Sequence, residues 1–331
     1  MNFKNIIKIT AVIFSFLIVF AGCTSTATVD PPKSNAFELI QNEANFSILK
    51  RAIEITNLTS VYNGTVAHTF FFPTNAAFNS YFQNSIPSIA SIEAIPPSDL
   101  KKILQYHILL GAVKQDSLVN KYQKTIAFGA ASATNNLSFF SKADGTSLKI
   151  NGYSKIISGD NITRNGVFHV VDNVLRIPKL IELVAPNPNF TTLILALAVQ
   201  SQPAAPNNYA TILNAVGPIT FFAFTNAAFT NLNTEFNFTP TAPIPEATLV
   251  RYLNYHIVLN SNFTFDSLTN NQSVTTYQNA NFTVLKDVTI PTKPLFKIKD
   301  VLNRISIIKI KDIQANNGVI HILDDKVLIT P

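Results

Sequence analysis

Apolar positions along this chain keep three different rhythms. From Ile9 to Ala21 they form one uncharged run behind Lys4 and Lys8. That run is shorter than the roughly 18 residues a membrane-spanning helix needs, and it fits the core of an export signal. Further on, Phe46, Leu49, Ala52 and Ile53 follow helical spacing, as do Leu193, Ala196 and Leu197. Leu100, Ile103, Leu104 and His107 share one face of a helical stretch over Leu100–Leu110, and Leu249–Val258 repeats that face. Thr69–Phe72 and Ile219–Ala223 are apolar or β-branched throughout, so each reads as a strand without a solvent face, the first stopped by Pro73. Leu148-Lys149-Ile150, Phe168-His169-Val170 and Ile320-His321-Ile322 alternate, which predicts strands with one buried side. Thr74 and Thr225 carry hydroxyls suited to capping a helix, and the turns they open would place Phe78 and Phe229 in the core. Asn165-Gly166 and Asn317-Gly318 predict tight hairpin turns with positive φ at both positions. Helices come first and strands mostly later, so the predicted class is α+β with an antiparallel sheet assembly.

These rhythms occur twice. Thr69-Phe70-Phe71-Phe72-Pro73-Thr74-Asn75-Ala76-Ala77-Phe78 is echoed by Thr220-Phe221-Phe222-Ala223-Phe224-Thr225-Asn226-Ala227-Ala228-Phe229. Leu104-Gln105-Tyr106-His107-Ile108 is echoed by Leu253-Asn254-Tyr255-His256-Ile257, and Asn165-Gly166-Val167-Phe168-His169 by Asn317-Gly318-Val319-Ile320-His321. A weaker echo links Asn45-Phe46-Ser47 to Asn189-Phe190-Thr191. The blocks keep their order at offsets of about 150 residues, too long for a solenoid unit, so each copy is a domain. The expected divisions are a signal over 1–22, a tether over 23–33, and domains over 34–177 and 178–331. The join near Arg176-Ile177-Pro178 is short, which predicts domains that touch and keep a restricted orientation.

Composition narrows the function. Apolar residues make up 47% of the 331 and charged ones 13%, enough to bury two cores. The formal net charge of +6 falls to +4 once Lys4 and Lys8 are removed with the signal. That excess is mild and no basic run is interleaved with aromatics, so no nucleic-acid partner is expected. The densest basic stretch, Lys297 to Lys311, reads as a solvated strand face or as a patch for anions or a membrane surface. Cys23 is the one cysteine, so the chain forms no intrachain disulfide and no cysteine-based zinc site. It closes Val19-Phe20-Ala21-Gly22-Cys23, which resembles the bacterial lipobox, with Phe20 where Leu, Val or Ile is usual. The resemblance implies acylation of Cys23 and a lipid anchor in the cell envelope, in the outer membrane, its periplasmic or surface face left open. Two or three acyl chains hold stably where one does not.

The repeated blocks resemble the fasciclin, or FAS1, family. Thr69–Phe78 and Thr220–Phe229 match its first motif, T-x-F-A-P-T-N-x-A-F, with Phe72 in place of Ala and Phe224 in place of Pro. Asn165–Leu175 matches its second, N-G-x-x-H-x-x-D-x-V-L; Asn317–Leu328 matches with one extra residue near Asp325. Tyr106-His107 and Tyr255-His256 match the pair between them. The resemblance covers about residues 34–331. It implies two tandem domains, each an antiparallel β-sandwich or wedge of about seven strands flanked by helices. It further implies adhesion or binding at a cell surface or matrix, with no shared catalytic activity.

The candidate chemistry is sparse. His107 and His256 read as core histidines bonded to backbone or a nearby carboxylate; the family implies receptor contact through this region as the alternative. His169 and His321 lie near Asp172 and Asp324, three residues apart along a strand and so on opposite faces, and read as structural. No nucleophile elbow, phosphate-cradling glycine loop or H-E-x-x-H occurs, so no catalytic residue, cofactor or metal is expected. Asp116-Ser117-Leu118 recurs as Asp266-Ser267-Leu268, which reads as a capping turn or as serines open to O-glycosylation. Two kinds of partner remain. A protein partner predicts an exposed apolar or aromatic patch on one domain. A glycan partner, in an accessory lipoprotein of an outer-membrane uptake system, predicts a groove with Tyr81, Tyr122 or Tyr277 beside Asn side chains. The lack of Trp favours the first.

Overall fold

A computed structural model describes residues 34–84, 89–198, 208–240, 242–290 and 295–331. The expected signal, Cys23 and tether lie outside them. Among the described residues each repeat has seven strands. The first holds β1 (His68–Pro73), β2 (Ile108–Leu110), β3 (Lys121–Gly129), β4 (Ser132–Asp144), β5 (Ser147–Ile150), β6 (Ser154–Thr163) and β7 (Gly166–Val171). The second holds β8 (Ile219–Phe224), β9 (Ile257–Leu259), β10 (Ser273–Thr275), β11 (Asn281–Asp287), β12 (Leu295–Lys299), β13 (Ile305–Ala315) and β14 (Gly318–Leu323). In the first repeat every strand pairs with the next, and β7 returns to β1, closing a ring. The second follows the path β9–β8–β14–β13–β12–β11–β10. Its ends meet through the Tyr277 N–H, which donates to the Ile257 carbonyl at 2.7 Å.

The α+β class and seven strands per repeat agree with the sequence, but the sheets are not purely antiparallel. β1 runs parallel to β7 over six residue pairs, and β8 runs parallel to β14. The cause lies in burial. Phe70 and Phe72 face a core under the helices, while Phe71 faces the ring interior with Tyr106, Phe139 and Val171. All six residues of β1 are buried, as are those of β8 and β14. A strand covered on both sides is the usual setting for parallel pairing. Each such phenylalanine contributes about 1.5–3 kcal/mol by burial.

Two local expectations also change. The helix over the Tyr-His region spans Pro97–Tyr106 and stops there, and Ile108–Leu110 leaves as β2 alongside β1. The second copy does the same, with a helix over Glu246–Tyr255 followed by β9. The hairpin before β7 turns through Arg164 and Asn165, neither with positive φ; only Gly166 has it, at 137°. A Cβ on Gly166 would lie 1.8 Å from the His68 carbonyl oxygen, and one on Gly318 would lie 2.0 Å from that of Ile219. The glycines therefore let the parallel strands approach. Phe78 is buried as expected, whereas Phe229 is only partly buried against the second core.

The repeats are hydrogen-bonded to each other. Gln314 of β13 bridges to Leu137 of β4, and its N–H donates to Ser138 Oγ at 3.2 Å. The fully buried Gln314 side chain donates to the Gly318 carbonyl at 2.8 Å and accepts from Asn135 Nδ2 at 2.8 Å. The Ala131 N–H donates to the Asn316 carbonyl at 2.9 Å. Tyr122 Oη donates to the Leu183 carbonyl at 2.9 Å.

Candidate functional site

The motif residues are joints of the scaffold. Thr69 Oγ1 donates to the Gly111 carbonyl at 2.6 Å and accepts the Val113 N–H at 2.8 Å; Thr220 does the same with Ser261 and Phe263, both at 2.8 Å. Thr74 and Thr225 cap their helices by accepting from Ala77 and Ala228. Asn75 and Asn226 reach sideways to cap another helix, accepting from Ile48 at 3.0 Å and Thr192 at 2.9 Å.

Both Tyr-His pairs are buried. His107 Nδ1 lies 2.8 Å from the Ile103 carbonyl, which only accepts, so Nδ1 carries the proton. Nε2 then accepts the Leu175 N–H at 2.9 Å. His256 repeats this between the Tyr252 carbonyl, at 2.7 Å, and the Leu328 N–H, at 3.0 Å. Burial disfavours the imidazolium and pulls both rings down to about 4. Tyr106 Oη donates to the Ser138 carbonyl at 2.8 Å, Tyr255 Oη to the Asn281 carbonyl at 2.7 Å, and burial pushes both phenols up.

His169 and His321 are fully buried and staple neighbouring chain. His169 accepts the Asp160 N–H at 3.1 Å and donates to the Val113 carbonyl at 3.1 Å; His321 accepts the Asp312 N–H and donates to the Phe263 carbonyl at 2.7 Å. Burial lowers both. Asp160, not Asp172, is the carboxylate near His169, 3.9 Å away. Asp172 accepts the Lys155 N–H at 2.7 Å. In the second repeat that place is taken by Asp325, which accepts the Ile307 N–H at 2.9 Å, while Asp324 accepts from Thr225 Oγ1 at 2.9 Å and pairs with Lys309. With both ring nitrogens of these four motif histidines engaged by backbone, none of the four offers a lone pair to a metal or a proton to a substrate. Among the described residues no three His, Cys, Asp or Glu gather as metal ligands.

The sequence undervalued Asn165 and Asn317. Asn165 Oδ1 accepts the Ala36 N–H at 2.9 Å and Nδ2 donates to the Tyr62 carbonyl at 2.8 Å; Asn317 ties Leu180 to Leu213 and Ala215 in the same way. Their recurrence in equivalent blocks was the available signal. Ser117 and Ser267 are exposed, each beside a buried Leu; Ser117 Oγ donates to Asp116 and Ser267 Oγ to the Thr264 carbonyl at 2.9 Å.

Two surfaces stand apart from this scaffold. On the outer face of β11–β13, Leu285, Lys297 and Ile307 stand in one row and Lys299 and Ile305 in the next. Leu295, Ile305 and Ile307 are 42–46% exposed. On the corresponding face of the first repeat Asp144 lies 3.5 Å from Lys149 and 3.7 Å from Lys155; Asp287, opposite Leu295, holds the equivalent register place in the second. The second surface is a groove of about 230 Å³ between the repeats, where Tyr122 meets Asn120, Asn187 and Asn189. Tyr81 and Tyr277 are half-buried against the first and second cores. No helix among the described residues is long and apolar enough to cross a membrane.

The sequence matches the Fasciclin domain family twice, over residues 44–178 and 188–330. It is 26% identical over 302 residues to transforming growth factor-beta-induced protein ig-h3 of Sus scrofa, covering 89% of this chain and 39% of the relative. The Oryctolagus cuniculus ig-h3 protein is 27% identical over 163 residues, 47% of this chain and 21% of the relative. Protein sll1735 of Synechocystis is 28% identical over 152 residues, 46% of this chain and 98% of its own length. The chain thus spans well under half of either ig-h3 protein. Among solved structures, the FAS1 domain pair from the insect cell adhesion molecule Fasciclin I has a TM-score of 0.50 at 17% identity, covering 85% of this chain and 97% of that one. With two matched domains filling most of its length and the same paired architecture, the chain belongs to the fasciclin domain family.

Proposed function

We propose that this protein is a non-catalytic adhesion or binding protein, exported, anchored through acyl chains on Cys23, that holds a protein partner at the cell surface or in its matrix. The outer face of β11–β13 carries this reading. It is the exposed apolar patch expected on one domain, and it interleaves Lys297 and Lys299 with Leu295, Ile305 and Ile307. Such a surface suits a partner that presents apolar groups ringed by carboxylates. The similar solved domain pair, named as part of an insect cell adhesion molecule, supports the reading, as does the exhaustion of every motif histidine in structural bonds.

Pro32–Pro331 forms one compact unit, and all three cores lie within it. Residues 34–331 are therefore the soluble form to test. On an array of matrix and cell-surface proteins they should capture at least one partner. The double substitution Ile305→Glu and Ile307→Glu should abolish capture while leaving thermal unfolding of the fold intact. Capture indifferent to that substitution would dismiss the face as the contact. In the native host, Cys23→Ala should shift the protein from the detergent phase to the aqueous phase; unchanged partitioning would dismiss the anchor.

A further inference from the structure

The extra residue in the second copy of the N-G-x-x-H motif has a structural consequence. In the first repeat Asp172 is consumed by the Lys155 N–H. In the second, Asp325 takes over that duty, with Ser306 Oγ as a further donor at 2.8 Å. Asp324 is thereby released to the groove between the repeats, where it stands with Lys309 and Thr225. We propose that this interdomain groove is a binding site for one neutral sugar ring, made possible by the release of Asp324.

The lining fits that chemistry. A pyranose offers a C–H face and a rim of hydroxyls that both donate and accept. Ile310, 41% exposed, and the ring of Tyr122 supply an apolar floor. Asp324 supplies an acceptor and Lys309 a donor, while Asn189 supplies both. The exposed Asn189 side chain has no hydrogen bond to the described residues, so it is free to turn toward a ligand. Lys309 already neutralises Asp324, which favours a neutral ligand over a charged one. A volume of about 230 Å³ is below the roughly 300 Å³ of the smallest drug-sized pockets, so it admits one ring, free or at the end of a chain. Lys121 and Tyr122 come from the first repeat and Asn189, Lys309 and Asp324 from the second, so an occupant also clamps the junction. This deepens the glycan reading of the sequence and is independent of the β11–β13 face.

The test is saturation-transfer NMR on residues 34–331 with glucose, N-acetylglucosamine and glucuronate, each as free sugar and as the terminal unit of a tetrasaccharide. A neutral sugar should bind with a Kd on the order of 1 mM, and added salt should not weaken it. Binding to both forms assigns a chain end as an admissible source; binding to the free form alone assigns the free sugar. Asn189→Ala, which touches nothing structural, should weaken binding at least about tenfold, as should Asp324→Asn. Partner capture through Ile305 and Ile307 should survive both substitutions. The assignment falls if no neutral sugar binds, if glucuronate binds more tightly, or if Asn189→Ala binds as well as the parent.

Discussion

Acid should unfold this protein through two buried imidazoles. His107 and His256 are fully buried and held neutral, each near 4 in the folded state. In the unfolded chain the same ring titrates near 6.5, a difference of about 2.5 pH units at about 1.4 kcal/mol per unit. Each histidine therefore couples about 3 kcal/mol of stability to pH, and the pair about 6–7 kcal/mol. The sign follows from proton counts. Between about pH 6.5 and about pH 4 the unfolded chain holds these protons and the folded one does not, so stability present above that window is lost progressively through it. A single domain has only about 5–15 kcal/mol in hand, so the loss is a large share in each repeat. Urea unfolding across that range should show midpoints falling steeply below about pH 6.5. Carboxylates and the buried His169 and His321, also lowered by burial, contribute to acid unfolding as well, so the decisive comparison is with His107→Gln plus His256→Gln. That variant should be weaker at neutral pH but flatter between the two pH limits. If it does not fold, the ring Cε1–H resonances of the parent report directly and should hold their neutral shifts until the protein nears its acid transition. Equal slopes in parent and variant, or rings that titrate near 6.5 while the protein is folded, would refute the reasoning.

Two further outcomes follow from individual atoms. Tyr62 Oη is buried with no hydrogen-bond partner among the described residues, so Tyr62→Phe should raise stability by about 1 kcal/mol or more in urea titration, against the usual sign for a core substitution. Gln314→Leu removes the bridge from β13 to Asn135 and Gly318 and leaves their polar groups unpaired; it should cost about 2–4 kcal/mol and make the segment between the repeats newly sensitive to protease.

How much of this was legible in the chain depends on the range of each contact. The duplicated motifs exposed two α+β domains because Phe71 and Phe222, or Thr69 and Thr220, hold equivalent places. The parallel pairing was present in the signal, since Phe70-Phe71-Phe72 has no side left for solvent, but a run of apolar residues does not say which strand lies beside it. The Asn-Gly dipeptides were read by their local turn chemistry, whereas Asn165 and Asn317 act on Ala36 and Leu180, more than a hundred residues away. Local pattern also favoured extending the Tyr-His helix through Leu110, because Ile108, Leu109 and Leu110 continue its apolar face. The chain leaves at His107, where the ring captures the Ile103 carbonyl, closing the helix with its own side chain. Gln314 belongs to no motif, and its role exists only once β13 and β4 are side by side.

Duplication also explains where new chemistry can arise. The ring, the Thr hydroxyl joints and the histidine staples are shared by both copies and leave no side chain to spare, so substituting them costs stability in whichever copy is changed. Freedom appears where the copies differ in length or company. One added residue moves the strand-holding carboxylate from the first to the second of two adjacent aspartates, and the displaced Asp324 comes to rest opposite Tyr122 of the other repeat. Likewise Asp144 pairs with Lys149 and Lys155 in the first copy, whereas Asp287, at the same register position in the second, accepts from the Thr289 N–H and Oγ1. Deleting Asp325 tests this logic. With one aspartate left, the strand contact to Ile307 and the contacts to Thr225 and Lys309 compete for a single side chain. The fold should keep the strand contact, as the first repeat does, and lose the Lys309 pair. A deletion variant that retained the Lys309–Asp324 pair, read by the Lys309 ammonium resonance, would show that the groove does not depend on the added residue.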